Sequence, residues 1–495
     1  MFKKHFYKTR VFIRRKHILY MVSNIAVINT WLLTVQDNKL GIIRDGCVRT
    51  QGDTITYVGK TVESEYTSAD IVIDGVNHVT MPGLVNAHTH TGLTLLRGCA
   101  QDLPEIEWMK KALGPLARHM SKEDRVLGSK LGVLEGLKSG STTFSEYTKD
   151  VSEIIDMVYN PFGVRVVATE TINETVYKKG LTPKDVYEFD EDKGEEGIKR
   201  TEDLFKKYAD NSMVTCLYGP QALDMVSLKT LKTIKELATQ KKGKIHMHVA
   251  QGERERLQIK GRYGKNATTV KVLKEHGVLD EKLIAVHIHD TTEKERELLV
   301  KKGVSMVGCP SSIGMIDGVV PPVNHYTHLG GMAGLGTDQA PGPGTHNMFK
   351  EMRMASMLSK VQAKDPAVLP AWESLQMGTR KGALVLGMNT IGSLTPGKKA
   401  DIITVDISRV NMVPVISKPF HNFVPNLVYS ATGAEVDNVI IQGELVMHNT
   451  HFTKIDENKI IQEANKQAQK IVEKAEKDWK QEHSKFVEYI EKGWM

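Results

Sequence analysis

The chain has 495 residues, enough for a large barrel with a satellite domain and too many for one small core. Its 40% apolar and 25% charged residues describe an ordinary globular protein, and no apolar run approaches the roughly 18 residues of a membrane-crossing helix. The net charge of +7 is local: Lys3, Lys4, Lys8, Arg10, Arg14, Arg15 and Lys16 supply seven positive charges, so the rest of the chain is neutral and gives no electrostatic case for nucleic-acid binding.

Residues 1–20, basic and free of acid, read as a disordered tail or an upstream start, with Met21 as a natural alternative. A transit peptide would be richer in serine. Residues 21–80 then alternate short strand-like segments with turns such as Gly52-Asp53 and Gly59-Lys60. The same texture returns within 391–453, which predicts one composite β-sandwich built from both ends of the chain. Between them, residues 81–390 alternate strand and helix. Strands are expected near 84–87, 142–145, 164–169, 213–217, 244–248, 283–287, 305–309 and 332–336. Helices are expected at 123–138, 198–208, 228–240, 268–276 and 293–302. Eight such repeats close into a (β/α)8 TIM-type barrel, whose chemistry belongs at the carboxyl ends of the strands. Residues 454–495 place Ile460, Ala464, Ile471 and others at helical spacing, the mark of amphipathic helices outside the barrel. Cys47, Cys99, Cys216 and Cys309 have no paired spacing and read as reduced thiols of a cytoplasmic protein.

Four strand ends carry metal-ligand residues: His88 and His90 on the first, His248 on the fifth, His287 on the sixth and Asp338 on the eighth. In a strand, side chains two apart share a face, so His88 and His90 can meet one ion. Histidines with one carboxylate and room for water describe a catalytic metal centre. His246, His289 and His119 read as structural, and His346 as an exposed loop residue or a substrate contact.

These residues sit in motifs that resemble the amidohydrolase superfamily, in its branch of S-adenosylhomocysteine/methylthioadenosine deaminases and triazine chlorohydrolases. Met81-Pro82-Gly83-Leu84-Val85-Asn86-Ala87-His88-Thr89-His90 is similar to the first-strand motif. Gly336-Thr337-Asp338 with the run from Asn347 to Arg353 is similar to the eighth strand and its helix. Ile391-Gly392-Ser393-Leu394-Thr395-Pro396-Gly397 is similar to the return into the β domain. The resemblance implies one divalent ion, zinc or iron, held by His88, His90, His248 and Asp338. It further implies Asp338 as proton acceptor, His287 over the attacking water, Glu107 beside Trp108 as a ribose contact, and a homo-oligomer acting on a small heterocycle.

Two positions depart from the pattern. Gln251 stands where the deaminases carry a proton-shuttling glutamate, and an amide cannot deliver a proton. Glu253 and Glu146 are the candidate replacements. Gln221 stands where a substrate-contacting histidine is usual, so the two amides suggest recognition of a neutral ring. The expected activity is deamination of an amino-substituted nitrogen heterocycle by metal-activated water. Displacement of chloride or alkylamine, and a catalytically silent binding protein, are the alternatives.

Overall fold

Apolar runs bounded by turn residues make strands that are buried on both faces, as a parallel barrel requires. The computed structural model describes residues 11–13, 24–37, 39–176, 178 and 185–495. In it, eight parallel strands follow one another in chain order around a barrel: β1 (Leu84–Thr89), β2 (Ser141–Thr148), β3 (Arg165–Ile172), β4 (Val214–Pro220), β5 (Ile245–Val249), β6 (Leu283–His287), β7 (Ser305–Gly308) and β8 (Ala333–Leu335). The ring closes just beyond the end of β8. There Thr89 bridges Asp338, the Asp338 N–H donates to the His88 carbonyl at 3.0 Å, and the His90 N–H donates to the Asp338 carbonyl at 3.2 Å.

Strands β2, β3 and β4 run about three residues further at their carboxyl ends than the apolar pattern predicts. Those extra residues include Glu146, Thr148, Glu170, Thr171 and Gly219, which are too polar or small to read as strand. Of the helices, α1 (Lys122–Lys138) starts at a capping box in which Ser121 accepts from Asp124 N–H and Asp124 accepts from Ser121 N–H. Helix α2 (Glu253–Tyr263) was not legible as a periodic pattern, because the face it buries holds Arg254, Glu255 and Gln258 beside Ile259.

The two ends of the chain meet in one branched ten-stranded sheet. His78–Pro82, just before β1, pairs antiparallel with Ile402–Asp406. Val11–Ile13 adds an edge strand against Ile71–Ile73, and the rest of the basic segment lies outside the described residues. A buried ion pair ties this sheet to the barrel floor: Arg165, at the start of β3, donates from Nε and one terminal nitrogen to the two carboxylate oxygens of Asp401 at 2.7 and 3.0 Å. Beyond the helix α3 (Met348–Ala363) and the sheet, α4 (Glu457–Gln481) and α5 (Lys485–Glu491) close the chain. Ala464, Ile471, Ala475, Trp479 and Phe486 pack on Leu95, Leu96, Trp108 and Leu116. All four cysteines are free thiols, and no helix among the described residues is long and apolar enough to cross a membrane.

The Arg165–Asp401 pair makes a stability prediction. Arg165→Ala leaves a buried carboxylate unpaired and should lower unfolding free energy by about 3–5 kcal/mol, read as a shift in the urea midpoint. Replacing both partners, with Arg165→Met and Asp401→Leu, should recover most of that loss.

Candidate metal centre

The four strand ends converge as their spacing requires. His88, His248 and His287 present ligand atoms within 4.8 Å of one another, and so do His88, His90 and Asp338. Asp338 Oδ1 lies 3.4 Å from His90 Nε2 and 3.8 Å from His88 Nε2. His88 Nε2, His287 Nδ1 and Asp338 Oδ1 are all buried without a hydrogen-bond partner. Buried polar atoms of this kind are costly unless something else satisfies them. Two imidazole nitrogens and a carboxylate oxygen left in this state, with the neighbouring ligand atoms of His90 and His248, fit a divalent cation.

The far sides of His88, His90 and His248 are already held. His90 Nδ1–H donates to the Tyr147 carbonyl at 2.6 Å and His248 Nδ1–H donates to the Gln221 carbonyl at 2.8 Å. A carbonyl only accepts, so in the neutral rings both Nε2 atoms keep their lone pairs for a metal. His88 Nδ1 meets His246 Nε2 at 3.1 Å, and His246 Nδ1 lies 3.3 Å from both Ser145 Oγ and Thr169 Oγ1. His246 is therefore no bystander. It fixes the ring of His88 from behind.

Burial, followed by the neighbouring imidazoles, pushes His88 and His287 well below the usual histidine range, and burial also lowers His90 and His248. Neutral imidazole is the metal-binding form. Burial raises the Asp338 carboxyl, with His90 and Ser312 opposing. Ser312 Oγ donates to Asp338 Oδ2 at 2.6 Å, which leaves Oδ1 facing the centre. Ala250, His287, Ile288 and Asp338 all have left-handed backbones, with φ of 49°, 78°, 46° and 60°. Such strain in non-glycine residues is tolerated only where surrounding contacts over-determine it.

The other anticipated residues fall in different places. Gln221 lines a cavity of about 560 Å³ at the barrel mouth with His90, Tyr147 and Thr171, and its side-chain oxygen accepts from Asn173 Nδ2 at 2.8 Å. Gln251 follows β5, and its N–H donates to Glu255 at 2.8 Å. Glu107 and Trp108, expected as substrate contacts, turn toward the C-terminal helices instead. Glu107 Oε1 accepts from the Lys485 N–H at 2.6 Å, at the start of α5, and Trp108 is buried among the apolar residues facing α4.

The two candidates for the missing acid stand in opposite surroundings. Glu146 is fully enclosed, accepting from Thr91 N–H and hydroxyl and from Tyr159 Oη, and burial pushes its carboxyl up to about 7. Glu253 is exposed on the first turn of α2. His346 is neither exposed nor at the mouth: it is buried, with Nδ1 at 3.1 Å from Thr89 Oγ1 and Nε2 at 3.0 Å from Thr94 Oγ1. His119 pairs with Asp478 of α4 at 2.8 Å.

Residues 79–446 match the model of the amidohydrolase family. The chain belongs to that family. It is a hydrolase of carbon–nitrogen bonds on a (β/α)8 barrel. A 5-methylthioadenosine/S-adenosylhomocysteine deaminase of Pelotomaculum thermopropionicum is 33% identical, covering 91% of this chain and 99% of that protein. A 5'-deoxyadenosine deaminase of Methanosarcina mazei is 34% identical with the same coverage. Among solved structures, an adenosine deaminase from Xanthomonas campestris with bound zinc superposes at a TM-score of 0.82 with 26% identity, covering 90% of this chain and 98% of that one. An atrazine chlorohydrolase from Arthrobacter aurescens shares the fold at a TM-score of 0.79 and 20% identity.

The role of His246 can be measured without a substrate. His246→Ala should weaken zinc binding about 10–100-fold in competition with a chromogenic chelator, while the circular dichroism spectrum stays unchanged. Unaltered affinity would remove His246 from the support of His88.

Proposed function

We propose that this chain deaminates an amino-substituted nitrogen heterocycle, with an adenosine-type nucleoside as the first candidate. One divalent ion, zinc in the first instance, is held by His88, His90, His248 and Asp338. What supports the reading is the cradle itself: three imidazole nitrogens and one carboxylate oxygen, tied from behind and open at the barrel mouth. The printed activities of the two deaminases similar over nearly their whole length point to the same chemistry. The cavity beside the cradle is in the size range of small-molecule sites and runs from His90 and Gln221 past Arg118, Lys122 and Arg125, which leaves room for more than a bare ring.

A bound divalent ion would lower the pKa of a water from 15.7 to about 7. The chain's own residues do the rest. Asp338, oriented by the Ser312 hydroxyl, accepts the water's proton on its carboxylate. His287 steadies the charge that develops on the attacking oxygen. The amide of Gln221 reads the heterocycle's edge, as does that of Gln251. The four unpaired cysteines favour a cytoplasmic protein, and the family resemblance favours a homo-oligomer.

Loss of chloride from a similar ring is the second reading, because it asks for no proton at the position of Gln251. The two separate cleanly by product. Zinc-loaded protein should release ammonia from at least one of adenosine, 5'-methylthioadenosine, cytosine or an aminotriazine; release of chloride alone from a chlorotriazine would sink the deaminase reading. Asp338→Ala should lower turnover by at least about 10²–10⁴-fold while the protein remains folded.

A further inference from the structure

Beside the cradle, three ionisable side chains from three different loops crowd the turn between β5 and α2. A Cβ placed on Gly252 would stand 3.0 Å from Asp317 Oδ1, 3.3 Å from His289 Nε2 and 3.6 Å from Glu105 Oε2. All three groups therefore converge on the residue that follows Gln251. The His289 side chain is only 4% exposed, leans on the Gln251 backbone and stands 3.7 Å from the Asp317 carboxylate. The His289 ring stands 6.2 Å from that of His287, centre to centre, which puts the cluster beside the reacting centre. Glu105 Oε2 is likewise buried without a partner, while Oε1 accepts from Arg254 Nε at 3.0 Å. Arg254 is fully buried and also pairs with Asp224.

These residues are poorly explained as structural filling. Buried polar atoms left without partners destabilise a fold, and apolar side chains would close the same space without that cost. Glu105 Oε2, Asp317 Oδ1 and His289 Nε2 instead gather beside Gly252, next to the one position where the deamination chemistry lacks an acid.

We propose that Asp317 is the proton donor of this site, in place of a carboxylic acid at position 251, with His289 relaying the proton to the substrate. The proposal rests on the deaminase reading. In that reaction, water oxygen bonds to the ring carbon and the exocyclic C–N bond breaks, its electron pair leaving with nitrogen. One water proton passes through Asp338 to the departing amine, giving ammonia. The adjacent ring nitrogen takes its proton from Asp317 through His289, and the second water proton restores the acid through solvent. No oxidant or co-reactant is needed.

The electrostatics suit a donor. Burial and the facing carboxylates of Glu105 and Asp338 push the Asp317 carboxyl up to about 7, with Arg254 opposing and Asp290 adding to the rise. His289 also stands against it, at 3.7 Å. The acid is therefore loaded below neutral pH and empties as pH rises through that value, so the rate it supports should fall on the alkaline side.

The test uses the zinc-loaded full chain with 5'-methylthioadenosine as probe. Asp317→Asn should lower kcat by about 10²–10⁴-fold, leave KM nearly unchanged, and abolish the fall in rate near neutral pH. Adding Gln251→Glu to that variant should restore much of the lost kcat. A normal kcat and an unchanged pH profile in Asp317→Asn would overturn the proposal. A wild-type protein that releases no ammonia from adenosine, 5'-methylthioadenosine, cytosine or an aminotriazine would instead overturn the deaminase reading. Infrared difference spectra between wild type and Asp317→Asn at about one unit below the carboxyl's pKa judge Asp317 without substrate. A protonated-carboxyl band is expected, and an ionised carboxylate would refute the donor role.

Discussion

Asp338 holds the barrel shut and faces the metal position with the same residue. Its backbone N–H and carbonyl bond the carbonyl of His88 and the N–H of His90, the two residues whose side chains are the proposed first-strand ligands. Closure of the ring and assembly of the ligand set are therefore a single event. The side-chain geometry follows from this seam: with the main chains of β1 and the β8 end locked together, Asp338 Oδ1 comes to lie beside both imidazoles. The left-handed φ of 60° at Asp338 is the local cost of turning the carboxylate inward where the strand ends.

Around that seam the centre is prepared from outside. Carbonyls of Tyr147 and Gln221 and the ring of His246 each take the rear nitrogen of one ligand histidine, and Ser312 takes one oxygen of the carboxylate. Each contact removes a rotational freedom that a metal would otherwise have to quench. Burial does the complementary work by keeping the imidazoles neutral, so that binding an ion displaces few protons. The site is thus rigid in its ligands and variable in its walls, since Gln221, Gln251 and Asp317 stand on the loops after the strands.

Much of this was legible in the sequence, because short apolar runs ending in histidine or aspartate announce both a strand and its functional end. The strands of the barrel and the five expected helices appear close to where patterning put them. What escaped was polar. The outer residues of β2, β3 and β4, and the whole of α2, bury charged or hydroxyl groups satisfied by partners distant in the chain, which no local pattern reveals. His246 looked like a core residue because its partner, His88, is 158 positions away. Glu107 was read from a motif, whereas the partner that occupies it belongs to the last helix. His289 and Asp317 had no motif of their own. Only the meeting of the loops after β6 and β7 around Gly252 brings them forward.

The C-terminal helices touch more than the barrel's flank. Trp479 and Phe486 share one apolar cluster with Leu95 and Trp108, from the loop after β1, and with Ile316, the neighbour of Asp317. Two segments that frame the mouth thus lean on a buttress that contributes no ligand. Substitutions in that buttress can retune which molecules enter while the ion and its histidines stay as they are. Selectivity and reactivity are in this way inherited through separate parts of one polypeptide.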